Sequence, residues 1–260
     1  MPQTGDDKII FLDVGQGDSI LIESAQGHNI LIDGGPSKEI SYKLDQYLPL
    51  TNRKIDIMIL THPDPDHLNG LVEVIKRYQV NQIYSNGVYD PDLNYLEWQG
   101  VIIEKNIPFS YITHPMQLAI DSRVFVDFLW PRQNYINQSL KDDNIASVVT
   151  KFDINGHKFL LTGDLPSEEE GELLATKTDP IAEVLKIAHH GSKYSTSNNF
   201  LALVKPSYAV ISVGKNSFGH PSFRVLNSLQ KINTSPLRTD EKGDIIFFIN
   251  QSGLRVQTAK

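Results

Sequence analysis

The chain contains no cysteine. Disulfides and thiolate metal sites are excluded, so any bound metal must rest on histidine and carboxylate; this absence selects no compartment. No apolar run approaches the roughly 18 residues of a membrane span. The opening MPQTGDDK holds no apolar stretch of the kind a secretory signal carries. Positive charge is in deficit: 24 Lys and Arg against 31 Asp and Glu leave a formal net charge of −7. That argues against a surface that binds nucleic acid by charge alone, but not against a nucleic-acid enzyme whose cations are bound metals. Low-complexity segments and linker-like composition are missing too. With 40% hydrophobic and 9% aromatic residues among 260, there is material for a substantial core.

What is present is an internal echo. "GHNILIDGG" (27–35) and "GHKFLLTGD" (156–164) each read as a strand after a turn, each ending in glycine with an acidic residue, Asp33 or Asp164. The Asn155-Gly156 turn is a strong hairpin signal. A helix candidate follows each copy; in the second, Ser167 and Glu170 have capping-box spacing. Each copy then runs into a strand ending at histidine, "DIMILTH" (56–62) and "EVLKIAH" (183–189), followed by a helix and a third strand. In the helix "LNGLVEVIKRY", Leu68, Leu71, Val72 and Ile75 fall on one face. "RVFVDFLW" and the closing hairpin "DIIFFINQSGLRVQT" supply further strands. The pattern predicts one domain over 1–260 in the α/β class, a four-layer αββα sandwich made of two pseudo-equivalent halves, about 8–115 and 120–255. Asp33, His62, Asp164 and His189 then lie just past C-terminal strand ends, the edge where ligands bind in sheets with helical connections.

In "THPDPDH" (61–67), Pro63 and Pro65 fix their own φ and keep the preceding residues extended. Residues two apart in an extended segment point the same way, so His62 and Asp64 can share one ion. Asp66 and His67, at the bend into the helix, can turn toward a second. Against this stands a plain polar loop with Asp66 as an N-cap. Asp164 is a turn residue or, by the symmetry of the halves, a bridge between two ions. In "AHHGS" (188–192) an extended backbone would point His189 and His190 to opposite sides, one to coordinate and the other to support it. His220, in "FGHPS", is a ligand or a substrate contact. His28 and His157 read as solvated turn residues, and His114 as structural. In "LDVGQGDSILI" (12–22), Gly15 and Gly17 allow a tight bend or a close backbone approach. Asp18 can face the site, and Gln16 reads as a turn residue.

Together these pieces resemble the metallo-β-lactamase-fold hydrolases. More narrowly, "FLDVGQGDSILI", "LIDGG", "THPDPDHLNGL", "NIASVV", "LLTGD", "LKIAHHGS" and "VISVGKNSFGHP", in that order over about residues 8–255, resemble the C-terminal soluble domain of the competence protein ComEC and its free-standing relatives. The resemblance implies hydrolysis by a metal-bound water, with phosphodiester cleavage of DNA during uptake for the ComEC branch. It implies His62, Asp64, Asp66, His67 and Asp164 as metal ligands, with His189 or His190 completing the set; His189 is placed among the ligands. Asp33 would be a buried support. Two departures matter. Asp64 stands where the wider family's H-x-H-x-D-H has its second histidine, and the later histidine expected before Asp164 has no counterpart, Asn144 and Ser147 lying in that region. The first ion site is therefore richer in oxygen.

A mixed Asp and His site is harder than an all-histidine one, so one or two divalent ions, Mn²⁺ or Zn²⁺, are the expected cofactors. Asp66, His190 and His220 are expected at the chemical step, with Ser192 and Lys193 as contacts for phosphate; Lys193 and Lys215 also read as plain surface charges. Two rivals stand beside the DNA reading. One keeps the fold and changes the substrate to a lactone, another ester or a small phosphodiester. The other is a non-catalytic domain that binds nucleic acid or a partner. As an excised ComEC domain, tethered to a membrane channel domain in the full-length protein, it would face the extracytoplasmic side of the membrane; as a free-standing protein it would be cytoplasmic.

Overall fold

The computed structural model describes residues 5–49, 51, 53–176 and 178–260. The first stretch of chain gives β1 (Asp7–Phe11), β2 (Ile20–Glu23), β3 (Asn29–Ile32), α1 (Glu39–Tyr47), β4 (Lys54–Ile55), β5 (Ile57–Leu60), α2 (Pro65–Arg77), β6 (Gln79–Val80), β7 (Ile83–Ser85), α3 (Leu93–Glu104) and β8 (Phe109–Tyr111). The second gives β9 (Met116–Ala119), β10 (Val124–Trp130), β11 (Val149–Ile154), β12 (His157–Leu161), α4 (Ser167–Leu174), β13 (Val184–Lys186), α5 (Asn198–Val204) and β14 (Tyr208–Ile211). After it come α6 (Phe223–Lys231), β15 (Pro236–Arg238), α7 (Thr239–Lys242), β16 (Ile245–Asn250) and β17 (Gly253–Thr258).

Strand alternation builds the layers. In β1, Ile9 and Phe11 face the second sheet while Ile10 and the following Leu12 face helices α1 and α2. In β12, Phe159 and Leu161 point inward and Leu160 outward, under α4, α5 and α6. Three apolar layers result: helices on the first sheet, sheet on sheet, and helices on the second sheet. This is the αββα sandwich read from the sequence. The α2 stripe of Leu68, Leu71, Val72 and Ile75 is buried as the periodicity predicts, each such side chain stabilising the fold by about 1.5–3 kcal/mol.

The first sheet runs β17-β16-β1-β2-β3-β5-β7-β8 and the second β15-β14-β13-β12-β11-β10-β9. Within them β3, β5, β7 and β8 are mutually parallel, as are β12, β13, β14 and β15. The echo in the sequence is thus a pair of parallel runs whose C-terminal ends meet: Val148 N–H donates to the Thr61 carbonyl at 3.0 Å. The closing hairpin, assigned to the second half by the sequence reading, pairs through β16 with β1. It covers an edge of β1 that would otherwise leave backbone groups unpaired, and it sends Ile245, Phe247 and Ile249 between the sheets.

Two local expectations change. Ser167 is the first residue of α4 rather than its cap, and the Glu170 carboxylate accepts from Thr196 N and from Ser197 N (2.8 Å), tying α4 to the start of α5. Helix α3, not singled out in the sequence, buries Tyr95, Trp98 and Ile102.

Candidate metal centre

The loop between β5 and α2 does what its prolines dictate. Pro65 occupies the first helical turn, where its missing N–H costs nothing. Asp64 holds the cap position in an extended conformation, and its carboxylate makes no capping bond. It lies instead with Oδ2 3.6 Å from His62 Nε2. His62 is fully buried; its Nδ1 lies 2.9 Å from Thr61 Oγ1 and 3.4 Å from Ser147 Oγ. His67, in the first turn of α2, donates from Nδ1 to Asp33 Oδ2 at 2.8 Å. Asp33 is itself pinned in a left-handed conformation (φ 57°) by Thr61, whose backbone N–H donates to Oδ1 at 2.8 Å and whose hydroxyl donates to Oδ2 at 2.7 Å. These bonds fix both imidazoles with Nε2 turned inward, the way carboxylates orient metal-binding histidines.

The facing wall comes from the second sheet. Asp164, past β12, has Oδ2 3.4 Å from both His67 Nε2 and His190 Nε2. His190 donates from Nδ1 to the Ser212 carbonyl at 2.8 Å, and its Nε2 lies 3.1 Å from Asp66 Oδ2. The GQGD loop closes the third side. A Cβ on Gly17 would lie 2.3 Å from the Asp66 carbonyl oxygen, so glycine lets this loop lie against α2 and turn Asp18 inward. Asp18 Oδ1 is 3.5 Å from His190 Nδ1.

A further buried member was not singled out in the sequence. Lys186, at the end of β13, is fully buried; its ammonium donates to Gly163 O at 2.8 Å and pairs with Asp18, with Asp164 Oδ1 at 3.5 Å. A lone lysine inside the apolar run "EVLKIAH" was the signal, because a charge in a buried strand must find a partner. Asn86 was also missed. Its amide donates to Thr61 O and Ala146 O, both at 3.0 Å, linking the ends of the two sheets. Asp143 is a third: burial, with Asp64 and Asp90 nearby, pushes its carboxyl up to about 6.

Other expected residues divide. His189 and His190 both have left-handed backbones (φ 50° and 52°) ahead of Gly191 (φ 83°), so strand alternation does not apply. The turn drives His190 inward and leaves His189 with its side chain 31% exposed and Nε2 3.9 Å from Asp164 Oδ2. Of the two histidines expected to complete the set, His190 joins the candidate donor groups and His189 does not. Ser147 bridges the two walls, its hydroxyl accepting from Asp164 N at 3.2 Å. Asn144 lies in the 3-10 turn Asp143–Ala146, its Oδ1 buried without a partner. Ser192 is buried, and its hydroxyl serves a local turn by accepting from Tyr194 N. Lys193 is exposed, 4.9 Å above the Tyr194 ring. His220 stands at the mouth, its ring 5.4 Å from His189. Burial, then His189 and His190, hold its pKa below the ordinary value. His157 opens β12, its Nδ1 2.6 Å from Glu183 Oε2 rather than solvated.

The electrostatics call for a cation. Burial alone would lower His67 and raise Asp164; instead Asp164 and Asp33 hold His67 well above its ordinary pKa, and His190, His67 and Lys186 hold Asp164 well below. Asp66 is likewise held far down against burial, by its bond to His190 and the charge of His67. Four donor groups have their ligand atoms within 4.8 Å of one another: His62, His67 and Asp164; Asp66, His67 and His190; Asp18, Asp33 and His67; and Asp18, Asp164 and His190. His62 Nε2, His67 Nε2 and Asp18 Oδ1 are buried with no hydrogen-bond partner. Orphaned imidazole nitrogens among carboxylates are the donor set a divalent ion satisfies. The residues fit one ion or an adjacent pair.

A family model described as the metallo-beta-lactamase superfamily matches residues 12–215. The chain is 30% identical to ComE operon protein 3 of Bacillus subtilis (strain 168), covering 92% of this chain and 32% of that protein. It is 30% identical to competence protein ComA of Neisseria gonorrhoeae (94% and 33%) and 28% identical to recombination protein 2 of Haemophilus influenzae (96% and 30%). It thus spans about a third of the length of these curated relatives. Among solved structures, the metallo-beta-lactamase fold protein YhfI of B. subtilis superposes with TM-score 0.63 at 11% identity, covering 94% of this chain and 99% of that one. Igni18, a metallo hydrolase of the archaeon Ignicoccus hospitalis, superposes with TM-score 0.55 at 17% identity, covering 92% and 98%. At these identities the likeness shows the fold. No helix among the described residues is long and apolar enough to cross a membrane.

Proposed function

The chain belongs to the metallo-β-lactamase superfamily, and from that premise we propose that it is a metal-dependent phosphodiesterase acting on DNA, serving DNA uptake as the hydrolytic part of a longer, membrane-tethered protein and facing outward from the membrane. The observation that carries the reading is the set of buried, unpartnered imidazole nitrogens converging with carboxylates on Asp164.

His62, Asp64 and Asp164 would hold one divalent ion, and Asp66, His67, His190 and Asp164 a second. Such ions supply an acidified water and offset the charge that grows on a phosphoryl group. The protein's own part is to keep the donors in place. Lys186 takes Asp164 Oδ1, leaving Oδ2 for the centre. Asp33 steers His67 and the Ser212 carbonyl steers His190. With Asp64 in place of an imidazole, the first position is oxygen-rich, which suits Mn²⁺ as well as Zn²⁺. His220, at the mouth, and Lys193 beyond it would meet the phosphate backbone.

The test is hydrolysis of DNA, a lactone and a carboxylic ester with Mn²⁺ or Zn²⁺, for the unaltered chain and for Asp66→Ala and Asp164→Ala. DNA cleavage that needs the metal and disappears in both variants supports the reading. Full activity in either variant, or turnover of the ester or lactone alone, overturns it.

A further inference from the structure

Beside the centre runs a shallow groove whose lining includes His189, Lys193, Tyr194, Phe218 and His220. Its aromatics are unusually bare: Tyr194 is 69% exposed and Phe218 72% exposed, and Phe223, after the lining Ser222, is 83% exposed. Leaving rings of 150–250 Å² in water forgoes burial that a chain with three apolar layers had room to provide. The rings are also ordered. Phe218 lies 5.7 Å from His220 and tilted by 32°, His220 lies 5.4 Å from His189, and His189 Nε2 reaches to 3.9 Å from Asp164. A chain of ring contacts, tilted between Phe218 and His220 and edge-to-face (80°) between His220 and His189, thus leads from solvent to the metal centre. No carboxylate lines the groove; the charge it carries is Lys193, over the face of Tyr194.

Resting on the phosphodiesterase reading, we propose that this groove is a nucleobase subsite. An unpaired base next to the scissile phosphate stacks on Phe218 and Tyr194 while Lys193 meets its backbone. Aromatic faces accept any base, and a cation beside them accepts the phosphate, the combination used to hold single strands. In a duplex the same base is already stacked and paired, so the groove makes an unpaired strand the preferred substrate. The net charge of −7 argues against capture by charge alone and favours a local, stacking-based contact.

The experiment reads binding in the Asp66→Ala background, where the strand stays intact. Fluorescence anisotropy follows a labelled ten-nucleotide single strand, its duplex, and an abasic strand of the same length, with Mn²⁺ present. The single strand should bind roughly tenfold more tightly than the duplex or the abasic strand. Adding Phe218→Ala or Tyr194→Ala should erase most of that difference while leaving the melting temperature unchanged, because both side chains are exposed. Equal affinity for normal and abasic strands, or no loss in either variant, overturns the subsite. Stacking-dependent binding by a chain that cleaves no DNA would uphold the subsite and remove the phosphodiesterase reading instead.

Discussion

Replacing Gly70 by alanine should reverse the usual rule for a glycine inside a helix. On propensity alone the change gains about 1 kcal/mol. Gly70, however, lies where α2 rests on the loop after β3: its N–H donates to Gly35 O at 2.9 Å, and Gly34 N–H donates to His67 O at 2.7 Å. A Cβ at Gly70 would sit 1.8 Å from Gly34 O, 2.6 Å from its carbonyl carbon and 2.8 Å from Ile40 Cγ2. The first two obstacles are backbone, so helix and loop must part by about 1 Å or more. Overpacking of this kind costs about 1–3 kcal/mol or more, and the stretched hydrogen bonds contribute about 1 kcal/mol each. Set against the propensity gain, a net loss of about 2–4 kcal/mol is expected. Urea unfolding of the metal-free protein measures it as a lower midpoint at unchanged slope. Gly100, inside α3, is the control: nothing lies within 4 Å of its Cβ, so Gly100→Ala should gain about 0.5–1 kcal/mol. The loop that must move carries Asp33, so Gly70→Ala should also weaken metal binding through His67. A Gly70→Ala protein as stable as the unaltered one would refute the argument that backbone contact seats this helix.

Four further outcomes follow from the centre. Lys186→Met leaves Asp18 and Asp164 buried without their cation and should cost about 3–5 kcal/mol in the metal-free protein; saturating Mn²⁺ should recover much of this, and an equal loss with and without the ion would contradict the pairing. Because His67 and His190 are held above 6.5, their protonation stabilises the metal-free fold below that value, and the contribution fades as pH rises through their raised values. Asp66 and Asp164, held below 3.8, stabilise it above that value and lose their contribution as pH falls through their lowered ones. An ion takes neutral imidazoles, so its affinity should rise with pH near neutrality and its binding should release protons; calorimetry in two buffers of different ionisation enthalpy would show this, and no release at pH 7 would count against it. His190→Ala should weaken metal binding by roughly tenfold or more, with His189→Ala changing it far less; the reverse order would return His189 to the ligand set.

What was legible before the structure was what local rules control. Two prolines and four ligand-type residues made the His62–His67 loop readable, because the backbone there is set by its own residues. Strand ends were readable because alternation and flanking glycines mark them. The remainder depends on long-range partners or unusual backbone. Lys186 looks like an error in its strand until Asp18, 168 positions earlier in the chain, is brought beside it. The choice between His189 and His190 turns on two consecutive left-handed residues, which residue type does not announce. The sheet that takes β16 is settled by which edge needs covering, not by anything within the strand. Glu170, three residues after a serine, matches a cap in sequence yet bonds to the start of α5.

His62, Asp64, Asp66, His67, Asp164 and His190 are expected to hold divalent ions. Anomalous diffraction from crystals soaked in Mn²⁺ or Zn²⁺ would locate them. One or two peaks about 2.0–2.2 Å from Asp164 Oδ2 and the Nε2 atoms of His67 and His190 are predicted. An empty cleft beside peaks elsewhere on the molecule, or a peak bound to His189 with His190 turned away, would contradict this assignment.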